Sequence, residues 1–251
     1  IKQQNLYVKG LVILIILLAV MSLFYILNTR LRAKYQRIDL EQRLLRAQMN
    51  PHFIFNSLCA VQDLILAGHP DRANTFLVKI ARLMRNILEN SREEFIPLEK
   101  ELETLRLYLD VQKLRFENEF EYEFKVDSSI DSENISVPPM LAQPCLENSV
   151  EHGLLPGKNG GKIEISYKIQ DKLLKLEVTD NGAGREKVAD GHPGRIRKKS
   201  ISTTVIQERL DFFKKQLKSR NIGYEIKDLY EESEPGGTKV IIMMPFRKVF
   251  A

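Results

Sequence analysis

Eighteen consecutive residues without a charge, Gly10 to Leu27 (GLVILIILLAVMSLFYIL), constrain this chain before any other feature does. At about 1.5 Å per residue, a helix of that length approaches the thickness of a hydrocarbon core. Tyr7 and Tyr25 stand near its ends, as interfacial aromatics do. Arg30, Arg32, Lys34 and Arg37 follow it, whereas only Lys2 and Lys9 precede it. The positive-inside rule therefore puts everything after Leu27 in the cytoplasm, with 10–28 a single transmembrane helix of the inner or plasma membrane. No A-x-A-like cleavage site follows, which argues against a removable leader. The chain starts at Ile1 rather than Met, so we expect a piece of a longer protein, with residues 1–9 the end of a missing N-terminal region.

The rest reads as folded material. Hydrophobic content is 43% and charged content 28%. The net charge of +5 is spread among interleaved acids and bases, without the basic stripe of a nucleic-acid-binding surface. Cys59 and Cys145 sit in apolar helical patterns and read as buried, reduced thiols. From Leu31 to Leu66 the pattern is helical. Leu31, Ile38 and Leu45 recur at seven, as in a dimeric coiled coil, and Pro51 interrupts the run. Gly68 to Asp71 is a turn with Asp71 as N-cap, and a second amphipathic helix follows from Arg72 to about Glu89. Two antiparallel helices per chain would make a four-helix bundle in a homodimer. A third helix runs from Pro97 to about Phe116, and Glu119 to Val126 alternates as a strand. Pro139 to Leu155 is helical. Ile163–Ile169 and Leu173–Thr179 form a hairpin, and Gly182 to Ser200 is a basic, glycine-rich loop. A helix from Thr203 to Arg220 and strands at Tyr224–Lys227 and Lys239–Met244 complete an α+β domain.

Two sets of residues carry chemistry. In Gln48-Met49-Asn50-Pro51-His52-Phe53-Ile54-Phe55-Asn56-Ser57-Leu58, His52 and Asn56 are four apart, hence on one face of a helix. Asn56 is placed to orient the imidazole or a water. The second set is ordered along the chain. Glu147, Asn148, Glu151 and His152 share a helix side opposite the stripe of Leu146, Val150 and Leu154. Asn148 is the best Mg²⁺ ligand among them, because that ion takes oxygen ligands and keeps waters and phosphate oxygens; Glu147 is a second candidate. Asp180-Asn181-Gly182-Ala183-Gly184 follows an apolar strand, so a carboxylate stands where it can accept from an exocyclic amine, with glycines allowing close backbone approach. Gly236-Gly237-Thr238 precedes the last strand. Each glycine piece alone is a routine turn; the ordered set is the signal.

That set resembles the N, G1 and G2 boxes of the GHKL ATP-binding superfamily. Together with QMNPHFIFNSL it is similar to the LytS/YpdA-type sensor histidine kinases, over roughly Arg30 to Pro245. The resemblance implies a Bergerat-type α/β sandwich (118–251) holding ATP with Mg²⁺, preceded by coiled-coil and dimerisation helices (29–117), a membrane helix, and a sensor region before it. It makes His52 the phosphoacceptor, Asn148 the Mg²⁺-coordinating residue and Asp180 the reader of adenine. Gly182 and Gly184 then shape the pocket, and Gly236, Gly237 and Thr238 form the last box. Glu147 and His152 match box positions. The implied reaction is autophosphorylation on His52, followed by transfer to an aspartate of a response regulator in trans.

Two departures stand out. A lid that commonly reads G-[ILM]-G-L-x-N is Ser200-Ile201-Ser202-Thr203-Thr204-Val205 here, and Lys199 is the cation best placed to meet phosphate instead. Phe53 stands where many histidine kinases carry an acid, although a neutral imidazole already offers a lone pair. The altered lid motivates an alternative: a catalytically weak or dead dimeric membrane scaffold.

Overall fold

The computed structural model describes residues 17, 18, 20–31, 51–116, 119–154, 160–184, 201–231 and 234–249. The chain divides into two units, Ile1–Gln42 and Arg43–Ala251. In the first, helix α1 (20–31) leaves its apolar side chains uncovered all round; Phe24 is 69% and Tyr25 71% exposed. Among the described residues no helix is long and apolar enough to cross a membrane. Residues 10–16 and 19 of the expected span lie outside the described residues, as do residues 32–50 of the expected coiled-coil stretch.

The second unit begins with a helical hairpin, α2 (Pro51–Leu66) and α3 (Pro70–Asn90). Pro51 opens α2, as expected of a residue that cannot donate a hydrogen bond but fits a first turn. The turn carries Gly68 at φ 79. Asp71 was expected as an N-cap; Pro70 takes the first helical position and His69 the cap, so Asp71 falls in the first turn, where its charge meets the positive end of the helix. Cys59 corrects the expectation of two buried thiols. It lies on the outer side of α2 and is exposed, whereas Cys145 is buried.

Helix α4 (Leu98–Arg115) is buried on more than one side, with Leu98, Leu102, Leu105, Tyr108, Leu109 and Val111 all 2% exposed or less. It pairs with α3 through polar contacts. Asn90 donates to Thr104 at 3.1 Å, Lys79 meets Asp110 at 3.1 Å, and Arg82 meets Glu103. Beyond α4, a five-stranded sheet has the order β2-β4-β5-β7-β6: β2 (Phe120–Val126), β4 (Gly161–Gln170), β5 (Leu173–Asp180), β7 (Glu234–Met244) and β6 (Gly223–Glu231). Only the β2–β4 pair is parallel; β4, β5, β7 and β6 run antiparallel to their neighbours. The β4–β5 turn is tighter than expected, two residues with Asp171 and Lys172 both at positive φ, the conformation that matches strand twist in short hairpins. Ile163, Ile165 and Tyr167 on β4 and Leu174, Leu176 and Val178 on β5 point into the core. The opposite phase carries charges, such as Lys162 against Glu123 at 3.4 Å and Lys175 against Glu177 at 3.0 Å. A small sheet joins β1 (Ile96–Pro97), β3 (Ile135–Val137) and β8 (Arg247–Lys248), pinning both ends of the domain together.

The segment expected as one helix from Pro139 is three pieces. Met140 takes φ 64 in a turn, α5 runs Gln143–Asn148, and a π-helical turn continues over Ser149–Leu154. The turn is held by Glu101 of α4, whose Oε1 accepts from the Met140 N–H at 2.9 Å. Its Oε2 is buried without a partner, and burial pushes the carboxyl up to about 7 against a partial pull from Arg209. Helix α6 (Ile201–Gln216) ends earlier than the expected Arg220, and Lys218 at φ 49 follows it.

A pH dependence follows from Glu101. Its folded-state pKa is raised, so its contribution to stability is fully present below about 4.5 and is lost as pH rises to about 7. Chemical denaturation at pH 5 and pH 8 should show wild type losing stability over that window. Glu101→Gln should flatten the loss, because a neutral amide still accepts from Met140 without a charge to desolvate.

Candidate functional site

Period two along β5 puts Asp180 in phase with Leu174, Leu176 and Val178, so the strand delivers a carboxylate into the core. Asp180 is 4% exposed. Burial costs a carboxylate dearly unless donors meet it, and three do. Ser149 Oγ donates to Oδ2 at 2.8 Å, while the N–H groups of Gly182 and Thr238 donate to Oδ1 at 3.1 and 3.2 Å. Desolvation raises its pKa, and the three hydrogen bonds oppose the rise. Strand register explains why the glycine-threonine piece is here: Thr238 of β7 pairs with Asp180. Asn181 points away to the exposed side and closes the loop end, accepting from Lys162 N at 2.6 Å.

Glycines allow elements to touch around this carboxylate. A Cβ on Gly182 would stand 2.1 Å from the Gly153 carbonyl oxygen, and one on Gly237, at φ 137, would stand 2.0 Å from the Asp180 carbonyl oxygen. The Ala183 N–H donates to that Gly153 oxygen at 2.9 Å. Gly184 and Gly236 are buried nearby in sequence. A cleft of about 390 Å³ borders the strand ends, lined by Lys162, Asp180, Asn181, Leu229, Tyr230 and Gly236, within the size range of small-molecule sites.

Asn148 ends α5, half-buried, and its side-chain amide has no hydrogen-bond partner among the described residues. Glu147, one residue before, is buried rather than on a shared polar face. Its Oε1 accepts from Gln143 at 3.2 Å, and desolvation raises its carboxyl to about 7. Glu151 faces Arg115 of α4 at 3.8 Å. The π turn explains the redistribution: one extra residue per turn rotates the side chains after Asn148 and points Ser149 at Asp180. Sequence reasoning missed Ser149, whereas Gly153 ends the N-x-x-x-H-G run that starts at Asn148. The signal for Ser149 was a small residue directly after Asn148. The backbone of His52 lies in the first turn of α2, and Asn56 is half-buried one turn on. The side chains of His52 and His152, and all of Lys199 and Ser200, lie outside the described residues. No three His, Cys, Asp or Glu side chains converge as a metal centre among the described residues.

Residues 40–120 match the family model described as histidine kinase. Over 148 residues the chain is 34% identical to the sensor protein LytS of Oceanobacillus iheyensis, covering 59% of this chain and 25% of that one. Against the sensor histidine kinase YpdA of Escherichia coli, identity is 31% over 144 residues, covering 57% and 25%. The LytS of Enterococcus faecalis matches over a longer stretch, 28% identical over 214 residues, covering 84% and 35%. The chain thus spans about a quarter to a third of the length of these curated relatives. A histidine kinase domain from the Erythrobacter litoralis EL346 blue-light activated histidine kinase overlays at TM-score 0.42 and 13% identity, covering 84% and 94%, too loose a likeness to carry argument. The likeness to LytS/YpdA sensor kinases expected from the motifs is therefore found across independent relatives.

Gly182→Ala should destabilise the fold by about 1–3 kcal/mol, because the Gly153 backbone that the added Cβ would strike cannot yield. Gly223→Ala, whose Cβ meets nothing within 4 Å, is the control. Comparing thermal midpoints of the two variants checks this.

Proposed function

We propose that this chain is the membrane-anchored C-terminal part of a two-component sensor histidine kinase that moves the γ-phosphoryl group of ATP onto His52, then to an aspartate of a separate response regulator. The observation that carries the reading is the buried Asp180, held by Ser149, Gly182 and Thr238 with an ordered neighbour in Asn148. Motif order and the matched relatives support it. The α+β unit is read as a GHKL sandwich, with α4, α5 and α6 over one face of the sheet.

Mg²⁺ fits the donor set. Asn148 offers an amide oxygen at a helix end, without a hydrogen-bond partner among the described residues, and Glu147, with its carboxyl pushed up to about 7, is a poorer first ligand that a cation would draw into ionisation. When bound, the ion would neutralise charge on the β- and γ-phosphates. The chain's own residues do the rest. Asp180 accepts from the adenine amine, Gly182 and Gly237 keep the backbone close, and Asn148 orients the phosphate end. Attack by a His52 nitrogen forms an N–P bond as the bridging oxygen leaves with ADP, and the ring proton goes to water. Gly184, Gly236, His152 and Lys199 complete the assigned nucleotide set.

A homodimer is supported by the outer face of the hairpin, where Phe55 is 71%, Leu66 77% and Val78 61% exposed; a second hairpin would cover such a face. Membrane attachment rests on the apolar run Gly10–Leu27 and the uncovered apolar side chains of α1.

Incubation with γ-labelled ATP should give acid-labile, alkali-stable label on wild type and none on His52→Gln or Asn148→Ala. Absence of label on folded wild type would instead support the scaffold alternative that Ser200 to Val205 motivates. Asp180→Asn should weaken ATP binding roughly ten- to a hundredfold, because its amide cannot accept from all three present donors; equilibrium titration with a fluorescent ATP analogue reads this.

A further inference from the structure

The two oxygens of Asp180 are not equivalent. Both backbone donors, the N–H groups of Gly182 and Thr238, fall on Oδ1, at 3.1 and 3.2 Å. Oδ2 accepts from Ser149 Oγ at 2.8 Å and from no other group among the described residues. Each carboxylate oxygen has two lone pairs. Oδ1 therefore has both engaged, whereas Oδ2 has one engaged and one open. Backbone also closes in on Oδ1, since a Cβ on Gly153 would stand 3.1 Å from it. A ligand donor can thus add to this carboxylate at Oδ2, beside the Ser149 hydroxyl.

Ser149 is held firmly in that place. It is 4% exposed and lies between Leu146 and Val150, which are 0% and 1% exposed. Its own N–H donates to the carbonyls of Cys145 and Leu146, so the end of α5 fixes its backbone. The hydroxyl has a single proton, and that proton goes to Oδ2. The three donors to Asp180 come from the π turn, the loop after β5 and β7, and Ser149 is the one side chain among them. The carboxyl plane cannot turn without breaking a hydrogen bond. Burial holds the Asp180 carboxyl above its ordinary value, and the Ser149 hydrogen bond is the largest pull the other way. Desolvation still outweighs the three donors together, so a fourth would be favourable.

We propose that Ser149 is a positioning residue that determines base specificity: it orients Asp180 so that Oδ2 accepts one N–H of the adenine exocyclic amine. This rests on the nucleotide reading above and deepens it. A purine without the amine would leave the open lone pair of Oδ2 buried and unmet. A 6-oxo purine would set two acceptors face to face. Ser149 acts through Asp180.

The test uses the full chain with Mg²⁺ and two nucleotides that differ only in the amine, ATP and purine riboside 5′-triphosphate. Each competes at equilibrium against a fluorescent ATP analogue, well below the thermal midpoint of every variant used. Wild type should prefer ATP; equal affinity for the two would overturn the proposal. Ser149→Ala should lower ATP affinity about three- to tenfold and leave the affinity for purine riboside 5′-triphosphate unchanged, so that the preference narrows. A merely structural role would weaken both nucleotides alike, and that result, or an unchanged preference, overturns the proposal. Ser149→Thr keeps the hydroxyl and should keep the preference. Loss of the preference there as well would make space rather than the donor decisive, and would also overturn it. Absence of ATP binding by folded wild type overturns the nucleotide reading itself, a separate result.

Discussion

Burial of α4 on two sides is the constraint from which the described unit follows. Leu98, Leu102, Leu105 and Leu109 leave water almost completely, each contributing about 1.5–3 kcal/mol. Some of that area lies against the hairpin and some against the sheet. The helix therefore cannot leave either neighbour without exposing apolar surface, and its polar groups are matched on both sides. Thr104 and Asp110 meet α3, Asp110 also meets Tyr122, and Glu101 meets the turn at Met140. A helix used this way couples the segment bearing His52 to the domain bearing Asp180 by packing, without a specialised linker.

Around Asp180 the same logic operates on a polar group. A carboxylate at an inward position of a strand would be a fault in a core unless its lone pairs were met. Here a hydroxyl from the π turn and two backbone donors, one from the loop after β5 and one from β7, converge on it. Gly182 and Gly237 are what lets those segments approach, since any side chain there would strike backbone.

Much of this was legible in the residues. Alternation named the face of β2, apolar runs located β4 and β5, and the 3.6 period gave α3 its apolar face; the glycine-threonine piece, expected before the last strand, lies inside β7 instead. The helix after Pro139 was not legible as built. Its apolar stripe at Leu146, Val150 and Leu154 fits a regular helix equally well, and only contact with Glu101 and Asp180 selects the left-handed turn at Met140 and the π turn at Ser149. Ser149 was overlooked because a lone serine carries no signal until its partner is known.

The sequence by itself determined which residues have chemistry to offer, because hydrophobic period and motif order are local properties of the chain. It also bounded the apolar run Gly10–Leu27, whose composition needs no partner to be read. Only the tertiary structure decided that Glu147 is buried, that Cys59 faces out, and that Phe53 packs against Tyr108. Those outcomes depend on residues tens of positions apart competing for the same space, and packing settles that competition where spacing along the chain cannot.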